Sequence, residues 1–153
     1  LRGSLVGAPM LMAPAVAIAA LTLTQVTPPS LGIIFSGASA RHFILNTNDT
    51  VTGADAGDYI SGAVAGQFTI DDTSSPVSVN ILVDNIGTIG GISVNQALCS
   101  YNGGAQQSCD GAGMSVTSVS SATLRVGLDI TTSAAHGGGD TATVNMDVSL
   151  TYL

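Results

Sequence analysis

The stretch Thr141–Tyr152, TATVNMDVSLTY, decides the fold class. Ala142, Val144, Met146, Val148, Leu150 and Tyr152 alternate with Thr141, Thr143, Asn145, Asp147, Ser149 and Thr151. Successive side chains on a strand point to opposite faces. A period of two over this length therefore predicts one strand with one face in a core and the other in water. Upstream, Leu21 and Leu23 alternate with Thr22 and Thr24 ahead of Pro28-Pro29. Short strands are expected at 31–35 (LGIIF), 41–46 (RHFILN), 77–83 (VSVNILV), 114–119 and 122–130. Another is expected over 59–70, bent at Gly62 and Gly66. Residues 48–58 are turn chemistry, and the Gly-rich 84–94 reads as a hairpin. No stretch has convincing helical periodicity. The pattern predicts an all-β, Ig-like β-sandwich of about eight or nine strands.

Composition narrows the function. The chain has 153 residues, enough for one domain with a real core. It carries no Lys and no Glu, its ten acidic residues are all Asp, and the formal net charge is −7. Such a surface cannot neutralise phosphates, so no nucleic-acid partner is expected. Hydrophobic residues make up 45% and charged residues 8%, which is unlike a disordered chain.

Cys99 and Cys109 flank SYNGGAQQS, in which Gly103-Gly104 can reverse the chain. They are expected to form a disulfide closing a short loop, worth about 3 kcal/mol in the loop-entropy model and typical of a secreted protein. No zinc site is expected, because neither His42 nor His136 has a usable spacing to the thiols.

Catalytic signals are weak. There is no G-x-S-x-G elbow. His136 lies in the turn AAHGGGD and His42 in a strand. Gly137–Gly139 lack the Lys-Ser/Thr and the helix of a phosphate cradle. Asp55 and Asp58, and Asp71-Asp72, could be calcium ligands, but their spacing does not match the helix–loop–helix calcium loop, and turn residues are the plainer reading. Asn48-Asp49-Thr50 has the acceptor pattern for N-glycosylation, with Asn48 as the acceptor. The expected protein is non-enzymatic and carries no cofactor.

Residues 1–26, LRGSLVGAPMLMAPAVAIAALTLTQV, have a single Arg2, no acidic residue and a nearly continuous apolar run. Arg2, the apolar run and Ala17-Ile18-Ala19 match a cleavable signal. That gives one alternative: a monomeric secreted or periplasmic surface-binding domain, with 1–19 as its signal peptide. A membrane helix is disfavoured by Gly3, Gly7, Pro9 and Pro14. The other alternative is an extended segment buried against protein, and the start at Leu1 favours retention.

A family resemblance bears on this choice. Ala20–Gly37, ALTLTQVTPPSLGIIFSG, resembles the opening of bacterial surface domains called domain of unknown function 4402, which have an alternating strand, a P-L-S-F-G-T-I type segment and a Gly-rich turn. Ala65–Ile70 resembles the family's A-x-F-T-V strand. SSATLRVGLDI, the turn SAAHGGGD and TATVNMDVSLTYL resemble its ending. The cystine loop is no fixed part of that pattern. The resemblance implies a pilin-like sandwich, secretion, a surface or appendage role and no catalytic residues.

Pilin-like sandwiches often take a strand from a neighbour, with edge amides giving affinity and alternate side chains filling pockets. The expectation is therefore an extension over 1–18 acting as the donor and a sandwich over 19–153. Leu1, Leu5, Leu11, Val16 and Ile18 are the candidate plugs. Pro9 and Pro14 each remove a ladder donor, so the donor should be bent or split near them. Such head-to-tail exchange builds an open filament. The expected partners are copies of the chain itself and an assembly chaperone, with no membrane in the mature form.

Overall fold

The structure, a computed structural model, describes residues 20–34, 39–53, 55, 59–87, 91–133 and 141–153. The candidate plugs Leu1, Leu5, Leu11, Val16 and Ile18 lie outside these, as do Asp58, His136 and Gly137–Gly139.

The described residues form thirteen strands: β1 (Leu21–Thr27), β2 (Ser30–Ile34), β3 (Arg41–Leu45), β4 (Val51–Thr52), β5 (Tyr59–Ser61), β6 (Gly66–Asp72), β7 (Ser78–Asp84), β8 (Ile92–Tyr101), β9 (Gln107–Ser108), β10 (Met114–Thr117), β11 (Ser121–Thr132), β12 (Thr141–Thr143) and β13 (Asp147–Tyr152). The count exceeds the expected eight or nine because β4, β5, β9 and β12 have only two or three residues each. No helix occurs among the described residues, and all pairings are antiparallel.

The largest sheet is organised by β11. Its inward residues Leu124, Val126, Leu128 and Ile130 are fully buried, as strict alternation requires. One edge of β11 serves two strands in tandem, β6 along Ser121–Val126 and β3 along Leu128–Thr132. The opposite edge pairs with β8 over Leu124–Thr132. Gly127 sits at the join between β6 and β3. A Cβ there would collide with the Leu45 carbonyl oxygen, so only glycine fits. β1 extends this sheet beyond β6, β4 beyond β3, and β9 beyond β8.

Two smaller sheets face it. In one, β7 lies between β10 and β13; in the other, β2 lies between β12 and β5. Phe43, Phe68 and Leu124 of the large sheet share one core cluster with Ile81, Val83 and Met114, and with Leu31 and Ile34. The fold is thus a β-sandwich with a single core.

Three expectations change. The strand expected over 141–152 breaks at Val144–Met146: β12 pairs β2, and β13 pairs β7. The facing alternation survives the break, with Val144 buried, Met146, Val148 and Leu150 half-buried, and Asn145, Asp147, Ser149 and Thr151 exposed. The run 59–70 is two strands in different sheets, parted where Gly62 takes a positive φ of 88°. Residues 84–94 are no hairpin. Residues 88–90 lie outside the described ones, and the strands on either side do not pair with each other, because β7 is flanked by β10 and β13, and β8 by β11 and β9.

Candidate functional site

The two long flanks of the sandwich differ. At the β8–β10 flank the layers are stitched together. Cys109 donates its amide to the Ala97 carbonyl of β8 at 3.1 Å and accepts from the Val83 amide of β7 at 2.9 Å. Its sulfur bonds Cys99 of β8, with a Cα–Cα distance of 5.7 Å. The expected disulfide is therefore present, and both cysteines are fully buried. The reversal between them uses Asn102 (φ 49°) and Gly103 (φ 75°), one residue earlier than Gly103-Gly104. Two successive positive φ values are the signature of a tight hairpin turn, and Asn-Gly is its favoured pair. Asp110 secures the same corner, accepting from the Ala97 amide at 3.2 Å and from the Ser108 hydroxyl at 2.5 Å. Above it, the Val119 amide donates to Tyr101 Oη at 3.1 Å.

The opposite flank has two strand edges without a partner strand among the described residues. β1 pairs only β6, and β13 pairs only β7. The edges are long and carry almost no charge: LTLTQVT and DVSLTY, with Asp147 the sole ionisable carboxylate. Natural edges are usually guarded by Lys, Pro or bulges. Here one irregularity lies between Gln25 and Thr27, and the bulged Val26 is 56% exposed. Between the edges runs an apolar row that is only half covered: Leu21 and Leu23 on β1, then Met146 just before β13 and Val148 and Leu150 on it. In the core proper the equivalent positions, Ile81 and Val83, are 0% exposed.

The flank is latched at one end by Asp72, an inward-facing carboxylate only 1% exposed. Its Oδ1 accepts from the Ser74 amide at 2.8 Å and from the Tyr152 hydroxyl at 2.9 Å. Thus β6, the turn after it and the end of β13 meet on one oxygen. The nearby Ser118 hydroxyl does most to hold the Asp72 carboxyl below its ordinary value of 3.8; burial opposes this, and the Ser74 amide and the Tyr152 and Ser74 hydroxyls reinforce it. Ser118 Oγ accepts from the Val77 amide at 3.1 Å, which leaves its hydroxyl hydrogen free to point at the carboxylate. Ala20 is tied beside this latch, donating to Thr73 Oγ1 at 2.9 Å.

The other candidate residues lie apart from the flank. Asn48 is exposed at the β3–β4 turn, where its Oδ1 accepts from the Thr50 hydroxyl at 2.6 Å. His42 Nε2 lies 2.9 Å from Asp129 Oδ1, an oxygen that also accepts from Asn95 Nδ2 at 2.7 Å. This network fastens β3, β11 and β8 across the outer face of the large sheet. Asp55 accepts from the His42 amide at 2.7 Å and pairs with Arg41 at 3.5 Å. Asp71 is exposed on β6. No group of three or more His, Cys, Asp or Glu is placed to hold a metal among the described residues. No helix among them is long and apolar enough to cross a membrane.

The Asp72 latch was not singled out from the sequence. The signal was available, because Phe68, Ile70 and Asp72 share one parity of GQFTIDD and Asp71 has the other. Comparison with family models, curated proteins and solved structures gives no match.

Proposed function

We propose that the chain is a structural subunit of an extracellular filament, pilin-like and non-enzymatic, which polymerises when the N-terminal extension of one copy adds a strand to the next. The observation that carries this reading is the β1–β13 flank, with two unpaired strand edges and a half-covered apolar row between them. A strand laid there would satisfy edge amides and cover Leu23, Val148 and Leu150 together. The extension leading into β1 has the required character: apolar on both faces and free of acidic residues. The buried disulfide suits an oxidising, extracellular setting. The resemblance to domain of unknown function 4402 points the same way.

Deletion of residues 1–18 tests the proposal. The truncated chain is expected to fold and to remain monomeric by light scattering and electron microscopy, while the 153-residue chain forms filaments. Filaments of the truncated chain would sink the reading. A 153-residue chain that itself stays monomeric would instead favour a surface-binding domain whose extension is an export signal.

A further inference from the structure

We propose that Asn48, at the tip of the β3–β4 turn, accepts an N-linked oligosaccharide from a transferase met during export. Such a modification needs an exported chain, which the buried disulfide favours, but no filament, so it holds or fails independently of polymerisation.

The sequence narrows the choice to one residue. Of the seven asparagines, only Asn48 is followed two positions later by Ser or Thr with no proline between. The pattern is short and arises often by chance. What singles Asn48 out is how the fold presents it. Asn48, Asp49 and Thr50 are all exposed. The turn that carries them has a fixed base: the Asn46 amide donates to the Thr50 carbonyl at 2.9 Å, and Arg125 Nε donates to the Thr47 carbonyl at 3.0 Å. Gly127, lacking a Cβ, lets the backbone of residues 45–47 lie close against β11 beneath it.

The amide itself is oriented by its oxygen. Asn48 Oδ1 accepts from the Thr50 hydroxyl at 2.6 Å and from the Thr50 amide at 3.3 Å. The same hydroxyl accepts from Asn46 Nδ2 at 3.2 Å, which directs its hydrogen toward Asn48. Asn48 Nδ2 has no hydrogen-bond partner among the described residues. The structural asparagines differ: Asn46, Asn80, Asn85 and Asn95 each donate Nδ2 to a protein acceptor. Closing the turn requires only a bond from the Thr50 amide to Oδ1. It requires neither the Thr50 hydroxyl nor an unengaged nitrogen. Asp49, the middle residue, is drawn off: its carboxylate accepts from the Ala65 amide at 2.7 Å and pairs with Arg125.

In the transfer, Asn48 Nδ2 bonds to the anomeric carbon of a lipid-pyrophosphate-linked oligosaccharide. The bond from that carbon to the pyrophosphate oxygen breaks, the electron pair leaves with the lipid pyrophosphate, and the proton lost from Nδ2 goes to a base of the transferase. One Nδ2 hydrogen remains and both contacts to Oδ1 are untouched, so the turn keeps its geometry. The product is a bulky, solvating group on a chain with only 8% charged residues.

Two measurements test this. The secreted protein from its source cells is digested, and the peptide containing Asn48 is weighed before and after treatment with an amidase that releases N-linked glycans and leaves Asp. The expected peptide is heavier by one oligosaccharide and carries Asp at position 48 after release. A peptide found only at its unmodified mass would overturn the assignment. In the second measurement the folded, disulfide-bonded full chain is offered to a transferase of N-x-S/T specificity with its lipid-linked oligosaccharide. One oligosaccharide per chain is expected, lost in Asn48→Gln and Thr50→Ala and kept in Thr50→Ser. Transfer that survives Asn48→Gln would overturn the choice of residue. Transfer to the reduced, unfolded chain alone, or to neither form, would overturn presentation by the folded turn.

Discussion

On the β8–β10 flank, Cys109 joins the two layers through its amide, its carbonyl and its sulfur. On the β1–β13 flank, the Tyr152 hydroxyl reaches across to Asp72, and the strand edges beside it have no partner strand among the described residues. The first flank is held by backbone and a covalent bond, the second by side chains. At the seam β9 and β10 also have one partner strand each, but they are only two and four residues long, and Cys109 already ties the layers between them. A side-chain latch leaves a whole row of donors and acceptors available, and that asymmetry makes one flank structural and the other a candidate for assembly.

Removing the covalent part of the seam should produce the largest change. Cys99→Ala/Cys109→Ala is expected to lose about 2–5 kcal/mol in chemical denaturation, because the loop constraint and two buried side chains go together. A loss near zero would mean that the Cys109 backbone bonds close the flank alone. Truncation next contrasts the two regions directly. Ile81→Ala, at a fully buried site, should cost roughly 2–5 kcal/mol. Leu150→Ala, on the open flank, should cost about 1 kcal/mol in the monomer, because much less area is removed from cover. The gap between the two should narrow in the assembled filament, where a donor would complete the burial of Leu150. Equal costs in the monomer would show that the flank is already closed.

Acid should act on the open flank. The folded Asp72 carboxyl titrates below 3.8, so its contribution is complete above that value and fades as pH falls through the lower, folded one. Thermal melts taken downward from neutral pH should show a fall in Tm that is partly missing in Asp72→Asn. An identical acid profile in the variant would remove Asp72 from the account. The smallest expected effect is that of Tyr152→Phe, which deletes one hydroxyl and keeps the ring. Its Tm should drop less than that of Leu150→Ala, with the acid response of Asp72 shifted toward the ordinary carboxylate range.

Much of this contrast could be read from the chain, and part of it could not. Over Val144–Thr151 the alternation correctly reports which side chains face inward, because parity is a local property, while Tyr152, of inward parity, is 40% exposed at the end of the strand. The alternation carries no information on which strand lies alongside, so the switch of sheets at Val144–Met146 was invisible. The disulfide followed from two cysteines and a reversible loop. The seam made by the Cys109 backbone did not, since amides and carbonyls are the same in every residue. Half-burial of Leu23, Val148 and Leu150 was equally hidden: a period of two marks a face, and the extent of its cover depends on neighbours.

Gly127 and the strand around it carry a consequence for how the molecule comes into being. β11 is paired with β3, β6 and β8, all of which precede it, and only β12 and β13 come later. A chain emerging from its N-terminus therefore has no way to close the large sheet until most of its length is available. Contacts between residues so far apart in sequence are slow to form. The last strand in the chain, β13, carries one of the two open edges of its flank, so in the proposed filament the flank that takes a donor would be the last part of the sandwich to form.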